Sequence, residues 1–91
     1  MDIIMNEKDF LKRYEGSSEN YRYMLLDRMR SDCDYVLDAC HGNPYAFKFL
    51  WAYNNPQAHI AYMRYLWNSL AEKPEWLSME QIDEYERRLC K

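Results

Sequence analysis

Hydrophobic positions recur with helical spacing over most of the chain, and the longest such pattern runs from Tyr21 to Cys40. On a helix that turns 100° per residue, its apolar side chains fall within an arc of about 120°. These side chains are Leu25, Leu26, Met29, Cys33, Val36, Leu37 and Cys40. Gly42 and then Asn43-Pro44 follow the pattern, and a left-handed glycine followed by proline stops a helix. We therefore predict a central helix of about 30 Å, on whose apolar face the other elements pack.

A short first helix is predicted before the central one, from about Glu7 to Tyr14, with Asn6 as its N-cap. Met5 before the cap and Phe10 after it have the spacing of a hydrophobic staple. A helix this short is marginal on its own, so we expect its apolar residues to dock on another element.

The C-terminal half contains two further helical patterns. From Pro56 to Leu70 one face is apolar, and His59 lies on it, where a histidine is usually a hydrogen-bonded core residue. The last pattern runs from Met79 to Leu89 and follows Ser78, which together with Gln81 has the spacing of a capping box.

The window from Tyr45 to Trp51 is dense in aromatic residues and too brief for its period to separate helix from strand. We favour a helical turn, because Pro44 suits the first position of a helix.

The predicted fold is therefore all-α, a single domain over residues 1–91 with four to five helices. Residues 1–20 form an N-terminal arm with the short helix, and residues 21–89 form the core. The last helix is expected to close that core over Trp76. The side chains expected to be buried are Leu25, Met29, Val36, Leu66, Trp67 and Ile82.

Composition narrows the function classes. The net charge of -3 is too small, and the 12 basic residues too scattered, to indicate a generic nucleic-acid binder. No apolar run approaches the roughly 18 residues of a membrane span, and the segment before the first helix does not have the basic-then-apolar pattern expected of a signal peptide. Three cysteines in such a chain favour reduced thiols. We expect a cytoplasmic protein that has no membrane partner.

Candidate ligands and nucleophiles do not form a reactive pattern. The soft ligands are His41, His59, Cys33, Cys40 and Cys90. Cys33 and Cys40 are too far apart for a zinc pair and lie in the apolar arc, where thiols act as small hydrophobic groups. Cys40 and His41 are adjacent, which points their side chains apart, and the two glycines of the chain form no phosphate loop. We expect no catalytic residue, no metal, no cofactor and no small-molecule substrate.

Surface tyrosines and carboxylates are the more informative candidates. Opposite the apolar arc, the central helix carries three aspartates with a tyrosine beside them, and these residues are called the acidic strip: Tyr23, Asp27, Asp34 and Asp38. Tyr62 and Tyr65 lie off the inward face of their helix, beside small residues. Exposed tyrosines are typical of protein-binding surfaces, so both sets are candidate protein-binding residues. The alternatives are a solvated helix face and tyrosines that pack at the rim of the core.

Three segments carry a family resemblance. They are Tyr23–Tyr35, then Leu50-Trp51-Ala52 followed by Gln57 and a helix that reaches Leu66–Leu70, and finally Lys73–Ile82 followed by Tyr85-Glu86. In order and spacing they resemble one of the large polyvalent protein-associated domains of phages and conjugative elements, over about residues 21–89. Residues 38–44 depart from the glycine-rich, basic turn that the resemblance leads us to expect there.

The resemblance implies an accessory protein of a mobile element, in a bacterial cytoplasm. Together with the surface tyrosines and the lack of a reactive pattern, it leads us to expect a non-enzymatic protein that binds a protein partner. A compact acidic member suits an inhibitor of a host defence nuclease, of the anti-CRISPR kind. The alternative function is a nucleic-acid-binding accessory module of a phage or conjugative element. For the face with Tyr62 and Tyr65, a second copy of the chain is the alternative partner, which would give a homodimer.

Overall fold

Four α-helices and two shorter helical segments make up the fold, in a computed structural model that describes residues 4–14, 16, 18–52 and 54–90. The α-helices are α1 (Glu7–Lys12), α2 (Glu19–Asp34), α3 (Pro56–Ser69) and α4 (Met79–Leu89). A π-helical turn, Tyr35–Ala39, continues α2, and a 3₁₀ helix, Pro44–Phe49, precedes α3. The described residues contain no strand, and the predicted all-α domain is confirmed.

Polar side chains determine where the four α-helices begin. Each helix has an N-cap residue whose side chain accepts a backbone hydrogen bond, and these residues are Asn6, Ser18, Asn55 and Ser78. At Asn6, Oδ1 accepts from the amide of Asp9 at 2.8 Å, which confirms the predicted cap. Ser78 and Gln81 exchange side-chain and backbone hydrogen bonds in the predicted capping box. A cap of this kind contributes about 1 kcal/mol to a helix.

The central helix differs from its prediction at both ends. It begins at Glu19, two residues before Tyr21, and it widens into the π-helical turn after Asp34. In that turn the amide of Cys40 donates to the carbonyl oxygen of Tyr35 at 3.2 Å, five residues back. The apolar arc was predicted with a rotation of 100° per residue, and the wider turn has a smaller rotation per residue. Cys40 therefore lies at a different angle from the one predicted and is only partly buried.

α3 lies at the centre of the packing and contacts α1, α2 and α4. Five of the six residues expected in the core are buried, and these are Leu25, Met29, Val36, Leu66 and Ile82. Trp67 is only partly buried, because its indole N–H reaches the carbonyl oxygen of Leu77, 3.0 Å away at the edge of the core. The expectation that α4 closes over Trp76 is wrong, since Leu77 takes the buried position and the Trp76 ring is 39% exposed.

His59 ties α3 to α2 within the core. The ring is fully buried, with Nε2 2.9 Å from the carbonyl oxygen of Met29 and Nδ1 3.5 Å from the amide nitrogen of Ala52. A neutral imidazole matches these partners when Nε2–H donates to Met29 and Nδ1 accepts from Ala52. Burial lowers the pKa of His59 to about 4. The prediction of a hydrogen-bonded core histidine is confirmed.

The aromatic window after Pro44 is helical, as favoured over a strand. Asn43 caps it by accepting from the amide of Tyr45, and Ala46 is its buried residue. A 3₁₀ helix of six residues has too little inward surface for all of its aromatic side chains. Tyr45 is consequently 88% exposed.

Candidate functional site

The acidic strip contains a cation that the sequence argument did not include. Arg30 lies between two of its aspartates, with Nε 3.2 Å from Oδ1 of Asp27 and Nη1 3.3 Å from Oδ2 of Asp34. Spacings of three and four residues place these side chains on one side of α2. The strip is therefore partly neutralised, and its charge is lower than its three carboxylates indicate.

Asp34 has a second partner that joins α2 to α4. The hydroxyl of Tyr85 donates to Oδ1 of Asp34 at 2.6 Å. Burial, together with this hydrogen bond to a carboxylate, raises the pKa of Tyr85 above its ordinary value. Asp34 is thus a structural contact, whereas Asp38 is exposed and has no hydrogen-bond or ion-pair partner among the residues described.

One end of the strip opens into a shallow groove of about 450 Å³, which we call the Trp76 groove. It is lined by Tyr23, Met24, Asp27, Arg30 and Trp76. The Arg30 guanidinium lies 5.4 Å from the centroid of the Trp76 ring, a cation–π distance. Met24 is 64% exposed, and the hydroxyl of Tyr23 is held by the carbonyl oxygen of Glu72. The groove thus presents apolar surface on side chains that are already positioned.

Sequence reasoning identified Tyr23 and Asp27 but missed the other three residues of the Trp76 groove. Trp76 lies in a connector without periodicity, and it was assigned to the core. Met24 lies outside both arcs of α2, beyond the edge of the acidic strip. Arg30 could have been found, because its spacing from Asp27 and Asp34 is that of intrahelical ion pairs.

The second candidate set, Tyr62 and Tyr65, does not form an open surface. Tyr62 is 8% exposed, and its ring stacks on that of Phe10 with centroids 4.5 Å apart. Its hydroxyl accepts from the amide of Met5 at 3.1 Å, and the hydroxyl of Tyr65 donates to the Met5 carbonyl oxygen at 3.0 Å. The expectation that Tyr62 is exposed is wrong, because α1 covers this face. Tyr65 is partly buried beside it.

A separate exposed aromatic cluster lies beyond the π-helical turn. Its rings belong to Tyr35, Tyr45 and Phe49. Those of Tyr35 and Phe49 meet edge to face at 5.6 Å, and Tyr45 and Phe49 line the same groove. The sequence did not identify this cluster, because the window that contains Tyr45 and Phe49 is too brief for its period to show which face of the favoured helical turn points inward.

Cys33 has the surroundings of a structural residue, whereas Cys40 and Cys90 are partly accessible. Cys33 is fully buried with Sγ 3.8 Å from Sδ of Met63, and burial raises the pKa of its thiol well above the ordinary value. All three cysteines are free, and His41 is exposed. Within the described ranges, no three or more histidine, cysteine or acidic side chains are grouped as metal ligands. In the same ranges, no helix has the length and apolar character needed to cross a membrane.

Comparison with known proteins gives one result. The family model described as large polyvalent protein-associated domain 11 matches residues 19–89, which include α2 and every residue of the Trp76 groove. No curated protein and no solved structure matches the chain significantly. The family match agrees with the resemblance seen in the sequence and indicates a protein associated with phages or other mobile elements. Because the match covers well over half of its residues, the chain belongs to the large polyvalent protein-associated domain 11 family.

Proposed function

We propose that this chain is a non-catalytic accessory protein of a mobile element that binds a protein partner through the Trp76 groove. The observation that supports the proposal is the exposed pair of Trp76 and Met24, beside a tyrosine and an arginine that are already held in place. Tryptophan, tyrosine, arginine and methionine are the residue types enriched at the centres of protein interfaces. Side chains that are ordered before binding lose less conformational entropy when a partner docks.

The charge around the groove indicates the chemistry of the partner. Asp27 keeps half of its side chain exposed despite its ion pair, and the neighbouring connector adds the exposed carboxylates of Glu72 and Glu75. A complementary partner offers an apolar pocket for the indole, with lysine or arginine at its rim. The rim charges would mainly accelerate association, while the indole would supply about 2 kcal/mol or more of affinity.

A host defence nuclease has a surface of this chemistry, because the groove that holds its nucleic acid must be basic. An acidic protein bound there would compete with the phosphate backbone, which is the anti-CRISPR kind of inhibition. This identity of the partner rests on charge complementarity and on the association of the family with mobile elements. The proposed protein would bind its target stoichiometrically in the bacterial cytoplasm.

The test begins in cells of a bacterial host of the element. A photo-crosslinking amino acid replaces Met24 in one variant and Tyr45, in the separate aromatic cluster, in the other. The proposal expects a protein captured from position 24 and not from position 45. With that partner purified, Trp76→Ala should weaken binding about tenfold or more, while Tyr45→Ala changes it by less than about twofold.

Two outcomes contradict the proposal. If Tyr45→Ala weakens binding and Trp76→Ala does not, the aromatic cluster is the interface. If duplex or single-stranded DNA binds the chain in a gel shift, with affinity that falls steeply between low and physiological salt, the nucleic-acid-binding alternative is favoured.

A further inference from the structure

A groove of about 500 Å³ lies where α1 meets the first turns of α2, with a lining different from that of the Trp76 groove. Its described lining consists of Lys8, Leu11 and Lys12 from α1 and Arg22 from α2. Three of these four residues are cationic, although the chain as a whole carries a net charge of -3. We call this lining the basic groove.

None of the three cations is neutralised by the described part of the protein. Arg30 and Arg64 each have carboxylate partners, whereas Lys8, Lys12 and Arg22 have no ion pair with any residue that the structure describes. Lys8 and Lys12 are also four residues apart on α1, and a like-charge pair at that spacing costs a helix a few tenths of a kcal/mol. A bound anion would remove this repulsion.

Arg22 provides an independent observation. Its Nε atom is shielded from solvent and has no hydrogen-bond partner in the described structure. A buried donor without an acceptor costs about 1–3 kcal/mol, and such donors are rare in folded proteins. Arg22 therefore lines the basic groove with an unpaired charge, and its shielded Nε is in addition an unsatisfied donor.

The packing of α1 holds these cations in place. Lys8, Leu11 and Lys12 share one side of the helix, while Phe10 on another side is buried against Tyr62 of α3. Ser18 caps α2 one turn before Arg22 and fixes where that helix begins. Cationic groups from two anchored helices thus converge on one concave surface.

We propose that the basic groove binds a compact phosphate-bearing ligand of about mononucleotide size. Its volume lies within the range of small-molecule sites. Phosphate oxygens match both the forked donors of arginine and the point charges of lysine, and Leu11 supplies apolar contact for the remainder of a ligand. An extended nucleic-acid strand fits less well, because Glu7 and Asp9 lie exposed on the same short helix.

This site belongs to the chain rather than to its family domain. The family match begins at residue 19, so Arg22 lies within it while α1, with both lysines, lies outside. The inference is also separate from the proposed protein interface, since none of the residues that the structure describes lines both grooves.

Calorimetric titration of the full chain at low salt tests the proposal with inorganic phosphate, pyrophosphate, ATP and a thymidine oligonucleotide as probes. ATP is expected to bind, and Lys8→Gln/Lys12→Gln should weaken it about tenfold or more. Arg22→Lys, which keeps the charge but removes the forked guanidinium donors, should also weaken binding. The matched control, Arg28→Gln/Lys48→Gln, loses the same charge at two exposed positions outside the groove and should bind ATP like the wild type. Trp76→Ala should likewise bind ATP normally.

Thermal unfolding shows whether each variant is folded. For the folded proteins, each binding result then supports or contradicts the proposed site. Absence of ATP and pyrophosphate binding by the folded wild type at millimolar concentration would overturn the proposal. Equal weakening in the control variant would mean diffuse charge instead of a site. Binding of the oligonucleotide but not of ATP through the same lysines would mean that the occupant is a nucleic-acid strand, and the compact-ligand inference would be wrong.

Discussion

At the residue scale, His59 makes the stability of the fold depend on pH. Burial lowers its pKa from 6.5 to about 4, and only the hydrogen bond to the Met29 carbonyl opposes that shift. Between these two values the unfolded chain binds a proton at this residue that the folded chain excludes. The contribution of His59 to the free energy of unfolding is therefore fully present above pH 6.5 and decreases as the pH falls toward 4. We predict that the free energy of unfolding decreases by about 2 kcal/mol from about pH 8 to about pH 5 on account of this residue.

Urea denaturation of the wild type and of His59→Gln at both pH values measures this contribution. Glutamine is uncharged throughout and keeps a side-chain amide donor for the Met29 carbonyl oxygen. Other groups, such as Asp32 with its raised pKa, titrate in both proteins and cancel in the comparison. If the free energy of unfolding fell by the same amount in the wild type and in the variant between these two pH values, His59 would not be held neutral in the core.

At the element scale, α1 is the helix that most depends on a partner. Its six residues are too few to be helical alone, and Phe10 anchors it among the rings of Tyr14, Trp51, Tyr62 and Tyr65. We predict that Phe10→Ala lowers the free energy of unfolding by about 3–5 kcal/mol, the usual cost of emptying a buried aromatic position. Chemical denaturation of the variant measures that loss.

Two matched variants separate ring packing from hydrogen bonding at α1. Tyr62→Phe keeps the stack on Phe10 and loses only the contact to the Met5 amide, so it should cost about 1 kcal/mol. Tyr45→Ala removes a ring that is almost entirely exposed and should change stability by less than about 0.5 kcal/mol. A cost for Phe10→Ala no larger than that for Tyr45→Ala would contradict the docking of α1.

The same element explains which parts of the site sequence reasoning could find. Helical spacing located α3 and its buried face, including His59, because that pattern is local. The place where α1 docks is a contact between residues more than fifty positions apart, and no local pattern encodes it. Tyr62 was therefore expected at the surface. The π-helical turn was missed for a related reason, since the helical arc assumes a constant step of 100°.

At the scale of the whole molecule, the absence of a metal site is still a prediction. The described thiols and imidazoles are dispersed, with Cys33 and His59 in the core and His41 exposed at the surface. We predict that protein purified without chelator contains less than about 0.1 equivalent of zinc by elemental analysis, since a tetrahedral site needs grouped ligands. Stoichiometric zinc that is lost in Cys33→Ala or His41→Ala would contradict this prediction.

The burial of Cys33 makes the rate of its chemical modification a measure of core opening. A thiol reagent dissolved in water cannot reach a side chain that has no exposed surface and whose proton is held more tightly than usual. Modification at that position must wait for α2 and α3 to separate, whereas Cys40 and Cys90 are partly accessible in the folded state. Reaction with a thiol reagent should therefore show two fast phases, from Cys40 and Cys90, and one delayed phase, from Cys33. The delayed phase records how often the core opens, with no substitution made in the protein.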